Sequence, residues 1–130
     1  MIGILEITLN GEVKQLKFGN YSLEKYTQIT GADIGSIKEI GEDYTQLDMV
    51  VDIIFCGLVG SYRSNKKVVD FTIDDVQIWV DNITYVDQLN VIKEFMACVV
   101  VITQQMVDAM KSMSGEGSNG EKKNLLGTAY

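Results

Sequence analysis

Ten apolar residues near the end of the chain set the strongest constraint on its fold. Val86, Leu89, Ile92, Phe95, Met96, Val99, Ile102, Met106, Met110 and Met113 keep the three-and-four spacing of one helical face. An amphipathic helix buries such a stripe, so the spacing predicts one long helix from about Tyr85 to Met113. The run "CVVVIT" inside it is β-branched and has strand propensity. The flanking period and the length of the pattern still favour helix.

The other end of the chain follows a different period. Leu5, Ile7 and Leu9 alternate with Glu6 and Thr8, as in a half-buried strand. Asn10-Gly11 follows, a pair that tolerates the two positive φ angles of a type I′ turn. Residues 12–18 return as the second strand, with Leu16 and Phe18 on one face. Lys14 and Lys17 discourage stray edge pairing. After Gly19-Asn20, Ser22 is a good N-cap for a short helix over 23–29, which Gly31 ends. Ile34, Ile37 and Ile40 predict a further short helix within 32–42.

Tyr44, Leu47, Val51, Ile54, Phe55, Leu58 and Tyr62 predict an amphipathic helix over 44–62. Val50, Ile53 and Val59 widen its stripe, so this helix should be central. Gly57 and Gly60 each cost it about 1 kcal/mol relative to Ala. Close approach of another element is the expected return, because a phosphate cradle needs glycine at a helix start rather than within the helix. "SYRSNKK" is a polar connection. In "FTIDDVQIWVDN", Thr72 and Asp75 stand at N-cap and N3, close to a capping box. A helix of about ten residues should follow, with Ile73, Val76, Trp79, Val80 and Ile83 inward. Asp74 and Asp75 suit its positive end. As adjacent helical residues they point apart, which argues against a metal pair.

The elements add up to an α+β fold: a mostly α-helical single domain with an N-terminal β-hairpin and a long C-terminal helix. Residues 1–113 form the binding domain. Residues 114–130, "SGEGSNGEKKNLLGTAY", have no packing period and form a flexible polar tail. At 130 residues and 46% hydrophobic, the chain can build one core. Its net charge of −7 disfavours nucleic acid and anionic membrane surfaces as partners. No basic leader precedes a long apolar run, and the apolar stretches are shorter than the ~20 residues that span a bilayer. A soluble, cytoplasmic protein is expected.

Histidine is absent, so a Cys-His nucleophile pair, a His general base and His-ligated metal are all ruled out. Cys56 and Cys98 lie in apolar runs and read as buried free thiols. Asp52, in the apolar helix, is the one carboxylate whose burial would give it a raised pKa, unless the helix turns it to solvent. Catalytic residues, cofactor-binding residues and metal ligands are therefore none, and no cofactor is expected. Met106, Met110 and Met113 carry the stripe into an otherwise polar end. They either finish the core or form an adaptable surface for a partner, with acidic side chains around them.

In "ITLNGEVKQLKFGNYSLEKY", "IIFCGLVGSYR" and "FTIDDVQIWVD" the chain resembles the tail assembly chaperones of long-tailed bacteriophages and prophages, over roughly residues 3–110. The resemblance implies a protein without enzymatic activity. It implies binding to the tape-measure protein and recruitment of tail tube subunits, and leaves self-association open. It also implies a longer frameshifted form. Glu121-Lys122-Lys123-Asn124 can be encoded by a nearly unbroken run of A, although the same residues suit a plain solvated linker. An unrelated helical adaptor or regulatory subunit would share this architecture. A small enzyme acting through Asp or Glu is the third reading.

Overall fold

The computed structural model describes residues 3–33 and 47–114. Strands β1 (Ile4–Leu9) and β2 (Glu12–Lys17) form an antiparallel hairpin in which Leu5 faces Leu16 and Ile7 faces Lys14. Asn10 and Gly11 turn it with φ of 53° and 78°, the positive pair that the Asn-Gly dipeptide permits. Helices α1 (Asn20–Thr30), α2 (Leu47–Ser64), α3 (Ile73–Trp79) and α4 (Tyr85–Ser114) follow, with a 3₁₀ turn, Val80–Asn82, after α3. The α+β class with an N-terminal hairpin and a long last helix is the one expected. The helix foreseen within 32–42 lies, beyond Asp33, outside the described residues, as does Tyr44. So do residues 115–130; Ser114, assigned to the tail, is the last residue of α4.

The chain divides into two compact units, Met1–Val100 and Val101–Tyr130. In the first, the inner face of the hairpin buries Ile7, Leu9 and Leu16, and β2 packs against α2. Helix α2 also packs against α1 and α3, and buries residues almost all round: Val50, Val51, Ile53, Ile54, Cys56, Leu58 and Val59. Its two glycines explain how it comes so near. A Cβ on Gly57 would stand 2.8 Å from Phe18 Cε1 and 3.0 Å from Leu16 Cβ. One on Gly60 would collide with the backbone carbonyl of Lys17 and the hydroxyl of Ser22. Two glycines that weaken the helix thus let it sit on the hairpin.

Aromatic rings close the two ends of this core. Phe95 of α4 meets Phe18 edge-on at 5.7 Å and Tyr26 of α1 at 5.0 Å. Phe71 contacts Phe55, Tyr62 and Trp79 at 5.8, 5.0 and 5.6 Å and so fastens α3 to α2. The capping box at α3 is complete: Asp75 N–H donates to Thr72 Oγ1 at 3.3 Å, and Thr72 N–H donates to Asp75 Oδ2 at 2.9 Å.

Three expectations need correction. Helix α1 starts at Asn20 rather than Leu23, with Gly19 as N-cap, and the Ser22 hydroxyl donates to the Lys17 carbonyl instead of capping. Ser22 is buried beside Gly60, where the carbonyl is the acceptor within reach. Val86 and Leu89 are exposed, not inward, and the buried set in α4 is Val91, Ile92, Phe95, Cys98 and Val99. The inward face is thus set by where Phe95 meets Phe18 and Tyr26. In α3 and its following turn, Val76 and Val80 are buried while Ile73, Trp79 and Ile83 are half-buried.

Candidate functional site

Helix periodicity places Met106, Met110 and Met113, at i, i+4 and i+7, on one face of α4 in the second unit. Their exposures are 45%, 67% and 87%. All three side chains therefore stand largely in solvent. The three cover about two turns, roughly 10 Å of helix. Long unbranched thioether chains on such a face can adapt to an irregular apolar partner.

Gln104, Asp108 and Lys111 fall on the opposite side. Gln104 Nε2 donates to Asp108 Oδ1 at 3.0 Å, and Lys111 continues the same i, i+4, i+7 line. Asp108 is the only acid between Val101 and Ser114, and it lies away from the methionines. Among the described residues the acidic surround expected for the Met face is therefore missing there, and charge steering must come from the chain as a whole. Val101 and Val107, 38% and 39% exposed, are apolar surface off the Met face that the sequence reading missed. Val101 sits inside "CVVVIT", where hydropathy alone reads as core. Its exposure depends on which face of α4 the rest of the fold covers.

The remaining candidates group differently. Cys56 and Cys98 are buried free thiols. Burial, with the Asp52 carboxylate second, pushes the Cys56 thiol up to about 12, while Lys25 opposes the shift. Burial, followed by Glu94, raises the Cys98 thiol. Neither is a ready nucleophile at neutral pH, since the thiolate is the reactive form. Asp52 is half-buried, and its charge acts on Tyr26 and Cys56. Asp74 and Asp75 serve the α3 cap, and among the described residues no group of three potential metal ligands forms. Among the same residues no helix is long and apolar enough to cross a membrane. A scan of family models, a search of curated proteins and a search of solved structures each found no match to this chain.

Proposed function

We propose that this chain is a tail assembly chaperone of a long-tailed phage or prophage, working in the host cytoplasm by binding rather than by chemistry. Its partner is an apolar-striped helical segment of the tape-measure protein, with tail tube subunits recruited to the same assembly. The observation that carries the reading is the solvent-exposed Met106, Met110 and Met113 face of α4, an apolar surface in a chain of net charge −7. An adaptable apolar face suits a long helix of varying sequence, and the overall acidity favours basic stretches beside it. The resemblance in the hairpin, the apolar helix α2 and the capped helix α3 supports the choice of partner.

Co-expression with fragments of the tape-measure protein encoded beside the chain's own gene tests this. The wild type should co-purify with at least one fragment, and Met110→Asp should lose it. If the wild type retains no fragment, the functional reading fails. If Met110→Asp binds equally well, the function stands and the site lies elsewhere.

A further inference from the structure

A cavity of about 310 Å³ opens in the first unit where β2 ends, α1 begins and α2 closes. Lys17 and Arg63 reach its wall from two different elements. Lys17 Nζ donates to Ser64 Oγ at 2.8 Å, and the Arg63 guanidinium lies 4.0 Å over the Tyr21 ring. Ser64 and Tyr21 line the same cavity. These partners orient the two cations without neutralising them. Among the described residues no carboxylate lies within 4 Å of either cation. Two positive charges on one concavity, without a carboxylate partner among the described residues, run against the trend of a chain carrying −7.

Spare donors remain on both groups. An ammonium has three N–H bonds, of which Ser64 takes one. A guanidinium stacked on a ring keeps its in-plane N–H fork available for an oxyanion. The floor is rigid: the Ser22 hydroxyl is tied to the Lys17 carbonyl, and Gly60 packs directly beneath both. The first backbone amides of α1 border the opening, with no side-chain cap and no acid in the first turn. Those amides would not make a site without the cations. A cavity near 300 Å³ is at the small end of ligand pockets, larger than a bare ion needs.

From the paired cations and the room beside them we infer that this cavity binds a small phosphomonoester, with its phosphate held between Lys17 and Arg63 and its organic part in the remaining space. A dianion matches two positive charges better than a carboxylate does, and the Arg fork can hold two of its oxygens at once. The inference does not rest on the chaperone reading and uses no residue of the Met face.

The full chain, labelled with ¹⁵N, is titrated at constant ionic strength with phenyl phosphate, inorganic phosphate and acetate. Phenyl phosphate should give saturable amide shifts at residues 19–22 and 60–64, with a dissociation constant of about 1 mM or below. Inorganic phosphate should shift the same amides more weakly, and acetate should bind at least about tenfold less tightly. Lys17→Gln and Arg63→Gln should each weaken phenyl phosphate by about tenfold, whereas Lys14→Gln should not. Arg63→Lys keeps the charge and removes the fork, so an intermediate loss is expected. It also serves if Arg63→Gln alters the resting spectrum. Unsaturated shifts, shifts spread over the whole surface, acetate equal to phenyl phosphate, or unchanged affinity in folded Lys17 and Arg63 variants would each overturn the assignment.

Discussion

Gly57 and Gly60 sit one turn apart in α2, yet a methyl group at each would meet different neighbours. At Gly57 the nearest atoms belong to side chains, the Phe18 ring at 2.8 Å and Leu16 Cβ at 3.0 Å, so it is chiefly the ring that must turn aside. At Gly60 one obstacle is the Lys17 backbone carbonyl, which cannot move without the hairpin. Alanine gains about 1 kcal/mol of helix propensity at either site. Gly57→Ala should therefore lie within about 2 kcal/mol of the wild type, and Gly60→Ala should lose roughly 2–4 kcal/mol. Urea unfolding of the two variants checks the order; equal losses would mean that α2 does not lean on the β2–α1 junction.

Buried protons give a second residue-scale expectation. Tyr26 and Cys56 are both pushed up to about 12 from ordinary values of 10.0 and 9.0, chiefly by burial and next by Asp52. A raised value means that the folded state holds the proton more tightly than the unfolded state. The associated stability is fully present below about pH 9 and is lost as pH climbs toward 12. Denaturation midpoints should be flat from pH 7 to 9 and then fall. A thiol reagent at pH 8 should leave Cys56 unmodified until denaturant is added. Prompt modification in native buffer would contradict the burial.

At the scale of elements, the hairpin turn and the α3 cap are local devices that short stretches of sequence announce. Asn10-Gly11 adopts the positive φ pair, so Gly11→Val should lose more than about 1 kcal/mol, because a β-branched residue at φ 78° is strained. Thr72→Ala removes one arm of the capping box and should cost about 1 kcal/mol. Thermal melts test both, and an unchanged midpoint in either would mean that the device carries no stability. The start of α1 shows where local reading stops. Ser22 has the chemistry of an N-cap, yet its hydroxyl finds the Lys17 carbonyl once Gly60 of α2 buries it. A hydroxyl with two possible acceptor or donor roles is decided by its neighbours in space.

At the scale of the whole molecule, α4 contains two chemically similar sets of side chains with opposite fates. Phe95 is 1% exposed between Phe18 and Tyr26, while Met110 is 67% exposed. Phe95→Ala should lose about 3–5 kcal/mol. Met110→Asp should lose less than about 1 kcal/mol, even if it abolishes partner binding. Circular dichroism melts separate the two, and a large loss from Met110→Asp would show that the Met face is part of a core.

Period and turn chemistry are properties of neighbouring residues. The sequence by itself therefore determined the hairpin and its turn, the apolar helix α2, the capped helix α3, the long α4 and the α+β class. Burial of one face rather than another depends on residues distant in the chain. Only the tertiary structure decided that Val86 and Leu89 face outward, that Ser22 bonds Lys17 and that Met106, Met110 and Met113 are exposed. The meeting of Lys17 and Arg63 is of the same kind. The two lie 46 positions apart, and the close seat of Gly60 on the β2–α1 junction brings them to one cavity. No local period encodes that distance, because it is set by the packing of whole elements.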